Sequence, residues 1–215
     1  MAPTANFPLL EDPGELALFQ GWTRDVYVDL LALERGELLP SDFDAKYRTR
    51  KAVLVLDITG FTVNAMRGGA INSFLRILDT HKICFPVFEE YAATQIRAFA
   101  DDVAAVFDEA GPALAAALEI HRRVDLHNRS SDTHEHPPEC CIGIGYGDVY
   151  EIGPNLSMGD EMNRASVLGE DIARGGETLV TEGAYAALAD LDETKVERQF
   201  SDDMLFPYYR VTRAA

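Results

Sequence analysis

The sequence is short of basic residues and of long apolar runs. Lys and Arg number 19 against 36 Asp and Glu, which leaves a formal net charge of -17. An acidic surface repels polyanions, so this balance argues against an electrostatic grip on nucleic acid or on an anionic membrane. The apolar runs are far shorter than the ~20 residues that cross a bilayer, and no segment has the pattern of a signal peptide. These absences predict a cytoplasmic protein with no nucleic-acid and no membrane partner.

Cysteine is also scarce. Cys84, Cys140 and Cys141 stand among apolar residues, a setting typical of buried thiols in a reducing compartment. The adjacent pair lacks the C-x-x-C spacing of redox and zinc motifs, so a disulfide framework and a zinc site are both disfavoured. Because nearly half of the 215 residues are apolar, the chain can bury one sizeable core and still have an extension.

The strongest local pattern lies between Lys51 and Thr62. Its apolar run, Ala52 to Leu56, predicts a strand buried on both faces, and Asp57 follows where that strand ends. A charge in that place is costly unless something pairs with it. The free amides of the next turn form an anion site, so a metal ion bridging Asp57 to a phosphate would account for the acid. A simple helix-capping aspartate would account for it too.

Two regions are predicted along the chain, an N-terminal arm and helix over residues 1–47 and a larger domain over residues 48–215. In the first, periodicity predicts one helix from Glu15 to Leu33, and Ser41 to Arg50 reads as a polar connector. In the second, strands and helices alternate irregularly, which predicts an α+β fold with helices mainly over one face of a sheet.

Three local features of the larger domain carry further predictions. Pro86 should bend or split a helix that runs from about Ile71 to Tyr91. The stretch around Ala100 and Asp101 reads as the turn of a hairpin. Because successive strand residues diverge, Asp102 is predicted to face away from Asp101. Three glycines at alternate positions should leave one strand face bare, so that another backbone or a ligand can approach it: Gly143, Gly145 and Gly147.

Three segments taken in order resemble the catalytic domain of the class III nucleotidyl cyclases. They are Val55 to Thr62, the hairpin with Ala100-Asp101, and the helix and strand from Gly159 to Thr181 that includes Asn163. The resemblance covers about residues 48–212. It implies a ferredoxin-like βααββαβ core and a homodimeric enzyme that converts a nucleoside triphosphate into a 3′,5′-cyclic nucleotide and pyrophosphate.

The resemblance also implies roles for individual residues. Two divalent cations, Mg²⁺ or Mn²⁺, would be held by Asp57, the backbone of Ile58 and Asp101. Asn163 would orient the ribose from the other subunit. The backbone amides of Gly60, Phe61 and Thr62 would contact the β- and γ-phosphates. The side chains at Arg97 and Leu156 would contact the base.

The chain departs from the family at several positions. Val167 stands where the family has a transition-state arginine, a loss that can cost several kcal/mol. The lysine that meets the terminal phosphates has no clear match, and Arg48, Arg50, Lys51 and Arg210 are the candidates. Arg97 and Leu156 (Asn155 if the alignment slips by one) match neither the adenine nor the guanine pattern.

This pocket chemistry favours a pyrimidine. Arg97 offers only donors, which suit O2 with N3 of cytosine or a carbonyl of uracil. A short cyclase of this kind is similar to the pyrimidine cyclases of Pycsar anti-phage defence, whose cUMP or cCMP activates a separately encoded effector. Two alternatives stay open, an adenylate or guanylate cyclase with a divergent pocket and a catalytically weak homologue that binds nucleotide or dimerises.

Overall fold

The computed structural model describes residues 9–19, 21–59, 69–130, 138–153, 156–188, 194–199 and 206–213. The predicted phosphate-binding amides of Gly60, Phe61 and Thr62 lie outside these ranges, as does Asn155. Within the described ranges, none of the helices is both long enough and apolar enough to cross a membrane.

The N-terminal extension contains three helices where the sequence predicts one helix and a connector. Helix α1 is Pro13–Ala17, α2 is Arg24–Glu34 and α3 is Pro40–Tyr47. The single helix is wrong because Asp12 and Thr23 each cap a separate N-terminus through their side-chain oxygens. The polar connector is wrong because Pro40 occupies the first helical position, where its fixed φ favours helix.

The larger domain begins with β1, Arg48–Ile58, which follows α3 directly. Helix α3 also contacts this domain, since Tyr150 Oη donates a hydrogen bond to Asp44 Oδ1 at 2.6 Å. The domain boundary after residue 47 stays a prediction. The elements that follow are α4 (Ala70–Glu90), β2 (Gln95–Phe99), β3 (Asp102–Phe107), α5 (Ala110–Ser130), β4 (Cys140–Gly153), β5 (Leu156–Met158), α6 (Asp160–Ser166), a π-helical segment (Val167–Ile172), β6 (Thr178–Thr181), α7 (Glu182–Ala187), β7 (Thr194–Gln199) and β8 (Tyr208–Arg213).

These strands form one mixed sheet, and the predicted α+β class is confirmed. Its order is β2-β3-β1-β4-β6-β8-β7, with β5 paired to the far end of β4. The β4–β6 pair is parallel and the other pairs are antiparallel. Strand β1 is central and buried along most of its length, so a side chain at its end is held in a fixed place.

The two faces of the sheet are covered by different helices. Helices α4, α5 and α7 cover one face, where the largest cluster of buried side chains contains Leu54, Phe88 and Ile120. Helix α6 covers the other face and contributes Ala165 to a cluster with Val53 and Val55. Helix α4 continues through Pro86 without splitting, since its buried side chains hold the turns on either side of the lost N–H.

The glycines of β4 explain how α6 lies so close to the sheet. A Cβ on Gly143 would stand 2.1 Å from the carbonyl oxygen of Ala165, and one on Gly145 would stand 2.7 Å from the carbonyl oxygen of Glu161. The bare face therefore admits another backbone, the first of the two predicted possibilities.

Gly143→Ala is expected to destabilise the domain by about 3 kcal/mol or more, because the backbone of α6 would have to move. Urea unfolding at pH 7.5 measures the change. Gly111→Ala is the matched control, since a Cβ there meets nothing within 4 Å. An unchanged midpoint for Gly143→Ala would contradict this packing.

Candidate active site

The candidate site is centred on Asp57, the penultimate residue of β1. It pairs with Cys141 of β4 and its carboxyl group is half-buried. Burial is the main cause that raises the pKa of Asp57 to about 7, and the charges of Asp101, Asp102 and Glu170 raise it further. A hydrogen bond from the backbone of Ile58 acts in the opposite direction. The structure thus places Asp57, Ile58 and Asp101 near one another, and their role as metal ligands stays a prediction.

The hairpin supplies two of these neighbouring acids. The two-residue turn of the hairpin consists of Ala100, which has a φ of 54°, and Asp101. Asp102 begins β3. Asp102 is predicted to face away but takes part in the cluster. Burial, followed by the charge of Asp101, raises its pKa. The strand register explains this, because Ala104 of β3 pairs with Val55 of β1. Asp102 lies on the same side of β3 as Ala104, and Asp57 lies on the same side of β1 as Val55. The two acids therefore lie on the same face of the sheet.

Glu170 is the acid that sequence reasoning missed. It lies in the π-helical segment, which crosses the sheet where Gly169 meets the carbonyl of Val55. Burial raises the pKa of Glu170 and the charge of Asp102 raises it further. No local pattern singles out this residue, since its closeness to Asp57 depends on how the segment crosses β1.

This acid cluster fits a divalent cation. Carboxylate oxygens are the ligands that Mg²⁺ and Mn²⁺ prefer, and a cation would offset the repulsion that raises the pKa of Asp57. Across the part of the chain that the structure describes, no group of three His, Cys, Asp or Glu side chains is placed to hold a metal ion by itself. In many Mg²⁺ sites one or two carboxylates share the ion with water and substrate phosphates.

Without metal, the charged form of Asp57 should destabilise the fold. Because its folded pKa of about 7 lies above the ordinary value of 3.8, the cost is absent below about pH 4, grows from there, and is complete above about pH 7. In EDTA, Asp57→Asn should therefore stabilise the protein by about 1 to 3 kcal/mol at pH 8.5, and by less at pH 5. Urea unfolding at both pH values measures this, and a destabilised variant at pH 8.5 would refute it.

Arg97 lies beside the acids. Its side chain is exposed on β2, and its charge lowers the pKa of Asp102 and of Glu170. In the isolated chain this arginine is therefore a counter-ion of the cluster. Its predicted contact with a base remains a prediction.

Leu156 belongs to the short strand β5, and its neighbour Ser157 connects that strand to β2. Ser157 Oγ donates to Gln95 Oε1 at 3.3 Å, and Gln95 Nε2 donates to Glu151 Oε1 at 3.1 Å. The two positions predicted to read the base, Arg97 and Leu156, thus lie on strands that touch. Gln95 and Ser157 were missed, although the polar residue two before Arg97 offered a signal.

Asn163 lies apart from the acids, as the fourth residue of α6. It lines a cavity of about 370 Å³ between that helix and the N-terminal extension, which contributes Trp22 and Phe43. The cavity contains none of the four clustered acids. No hydrogen bond joins the exposed Asn163 amide to another residue that the structure describes, so it is available to a ligand. The aromatic wall from the extension is a feature that sequence reasoning missed.

Most of the cations considered for the terminal phosphates already have carboxylate partners. Lys51 Nζ lies 2.5 Å from Asp108, and Arg210 lies 3.0 Å from Glu177. Arg48 pairs with Asp148 and with Asp44. Arg50 stands over the ring of Tyr146, 5.0 Å from its centroid. Next to Asn163, Arg164 is held by Glu161 at 2.6 Å.

The chain is similar to known proteins in its fold. No protein-family model matches the chain, and no curated protein matches it by sequence. Among solved structures, the adenylyl cyclase CyaB from P. aeruginosa is similar, with 19% identity and a TM-score of 0.66 over 78% of this chain and 97% of that one.

Two further structures agree with this match. The guanylate cyclase domain of RhGC from Catenaria anguillulae in complex with GTP has 18% identity and a TM-score of 0.61, over 77% of this chain and 97% of that one. The adenylate/guanylate cyclase/hydrolase from Silicibacter pomeroyi has 23% identity and a TM-score of 0.61, over 78% and 98%. The chain therefore has the fold of adenylyl and guanylyl cyclase domains.

Proposed function

We propose that the protein is a nucleotidyl cyclase that converts a nucleoside triphosphate into a 3′,5′-cyclic nucleotide and pyrophosphate. The observation that carries the proposal is the half-buried carboxyl of Asp57, whose pKa is raised to about 7 beside Asp101, Asp102 and Glu170. Concentrating acids at the end of a central strand destabilises the chain alone, so the cluster is better explained by a cationic ligand. The shared fold supports the reaction class.

The bond changes define what the residues must do. The ribose 3′-hydroxyl loses its proton to water, and its oxygen forms a bond to the α-phosphorus. The bond from that phosphorus to the bridging oxygen breaks, and pyrophosphate leaves with the electron pair. Asp57 and Asp101, with the backbone of Ile58, would hold two divalent cations, which neutralise the triphosphate and lower the pKa of the attacking hydroxyl. The Asn163 amide would hold the ribose in the orientation that attack requires.

A site built from two copies of the chain accounts for the placement of these groups. Asn163 lies in α6, Glu170 lies beyond it in the π-helical segment, and the cavity at Asn163 contains none of the acids. A 3′-oxygen must approach the phosphorus to about 3 Å. A homodimer, in which one protomer supplies the acids and its partner supplies Asn163, would satisfy this requirement.

The preferred substrate is a pyrimidine nucleotide, UTP or CTP. Arg97 supplies donors alone, so it cannot accept from the amine of adenine or from N1–H and the amine of guanine. The base carbonyls of uracil and cytosine would accept from it. The product, cUMP or cCMP, would then activate a separately encoded effector in anti-phage signalling in the cytoplasm. This assignment rests on Arg97, because neighbours of this fold include both adenylyl and guanylyl cyclases.

A second function is favoured by one observation. Val167 stands in the π-helical segment, where a valine cannot neutralise charge on a phosphate. A weak enzyme that mainly binds nucleotide or dimerises would not need that charge.

A single assay separates these functions. Purified protein is incubated with Mn²⁺ or Mg²⁺ and each of the four ribonucleoside triphosphates, and products are identified by mass spectrometry. Cyclic product from UTP or CTP is expected. Product from ATP or GTP alone would reject the pyrimidine assignment. No cyclic product at protein concentrations that support a dimer would reject the cyclase and leave the binding module.

A further inference from the structure

Helix α6 has a buried glutamate in its first turn. Glu161 lies two residues before Asn163 in this helix of seven residues. It is only 7% exposed, although glutamate is rarely buried unless it is paired. The N-terminus of the helix at Gly159 has no side-chain cap, so the short helix needs another attachment to the sheet.

The carboxylate of Glu161 provides this attachment through three hydrogen bonds. Its Oε2 accepts from the backbone N–H of Tyr146 in β4 at 3.2 Å, and from Oγ1 of Thr181, the last residue of β6, at 2.8 Å. Its Oε1 accepts from Nη1 of Arg164 in α6 at 2.6 Å. One side chain therefore ties α6 to two strands of the sheet.

Two glycines of β4 leave the space that this side chain fills. A Cβ on Gly147 would stand 2.5 Å from Cγ of Glu161, and one on Gly145 would stand 3.0 Å from its Oε2. Because three hydrogen bonds hold the carboxylate, the side chain cannot swing away from such a Cβ without losing some of them. The alternating glycines of β4 thus admit a specific side chain as well as the backbone of α6.

Glu161 and Asn163 point in nearly opposite directions. Two residues turn an α-helix by about 200°, and Glu161 is buried against the sheet while Asn163 is exposed. Fixing the direction of the inward side chain therefore fixes that of the outward one. A buried carboxylate that pairs with a cation contributes little net stability, but it can select one arrangement of the chain. The bonds of Glu161 are accordingly better suited to holding α6 in one rotation than to stabilising the fold.

We propose that Glu161 is a positioning residue, which sets the direction of the Asn163 amide toward the ribose. The proposal rests on the cyclase function proposed above and on the ribose contact assigned to Asn163. Glu161 acts through the rotation of α6 and does not itself contact the nucleotide. Because a misplacement of about 1 Å can cost about 100-fold in rate, a small rotation of α6 is enough to lower turnover.

Turnover of Glu161→Gln, alone and combined with Asn163→Ala, tests the proposal. The amide can accept two of the three hydrogen bonds but cannot pair with Arg164, so kcat should fall about tenfold or more while KM changes little. In the Asn163→Ala background the same change should lower kcat by less than about twofold, because no amide remains to be positioned. A structural loss alone would lower kcat by the same factor in both backgrounds.

Glu119→Gln is the matched control. Glu119 pairs with two arginines of its own helix, α5, and its variant should keep the wild-type kcat. If Glu161→Gln does not fold, Gly147→Ala takes its place, since the added methyl group displaces Cγ of Glu161. A kcat within about twofold of the wild type, or an equal loss with and without Asn163, would overturn the proposal.

Hydrogen exchange at the backbone amide of Asn163 separates this proposal from the proposed function. That N–H donates to the carbonyl oxygen of Gly159 at 3.0 Å, so its exchange rate reports on opening of the first turn of α6. Glu161→Gln should speed this exchange about tenfold or more, and Glu119→Gln should leave it unchanged. Faster exchange in a protein that makes no cyclic nucleotide would reject the cyclase alone, whereas an unchanged rate in Glu161→Gln would overturn the role of Glu161.

Discussion

Asp57→Asn is expected to reduce cyclase turnover by at least about 1000-fold, equivalent to about 4 kcal/mol of lost transition-state stabilisation. The amide keeps the shape of the side chain but cannot supply the negative oxygens that a divalent cation needs. Turnover is measured from cyclic product formed per minute with saturating triphosphate and Mn²⁺.

Two controls make this loss interpretable. Asp42→Asn changes an exposed acid of α3 and should leave turnover unchanged. Asp57→Asn itself should be no less stable than the wild type in EDTA at pH 8.5, so a loss of activity could not be attributed to unfolding. Turnover within tenfold of the wild type would show that Asp57 does not hold a catalytic metal.

Asn163→Ala is expected to reduce turnover by about 100-fold or more, the range found when a positioning donor or acceptor is lost. The exposed Asn163 amide makes no hydrogen bond to another described residue, so its loss should leave the melting temperature unchanged. Pyrophosphate affinity should also be unchanged, because Asn163 is assigned to the ribose.

Asn72→Ala, an exposed asparagine of α4, is the matched control and should retain wild-type turnover. If Asn163→Ala were as active as this control, Asn163 would have no part in catalysis. A fall in kcat with little change in KM would indicate a positioning role.

The acid pair could be predicted from the sequence because its signals are local. A buried apolar run that ends in Asp57 and a hairpin turn at Asp101 are both visible over about ten residues. Glu170 could not be predicted, since a π-helical segment carries it over β1 and only the three-dimensional crossing makes it a neighbour of Asp57. Asp102 was assigned to the wrong side because alternation from a turn residue does not fix the face of the strand that follows.

The cavity at Asn163 illustrates a second limit. Trp22 and Phe43 reach Asn163 because the extension forms three helices, a division that the caps Asp12 and Thr23 indicate but hydrophobic periodicity conceals. Asn163 itself has no local chemical signal and was identified through resemblance alone.

The most direct test of a site shared between two chains is to mix Asp57→Asn with Asn163→Ala protein and measure turnover. In a symmetric dimer each mixed pair contains one site with both residues intact and one with neither. Equal mixing makes about half of the dimers mixed, so turnover should recover to about a quarter of the wild type. Recovery to that level is the predicted result. A mixture no more active than the average of the two variants would contradict the composite site.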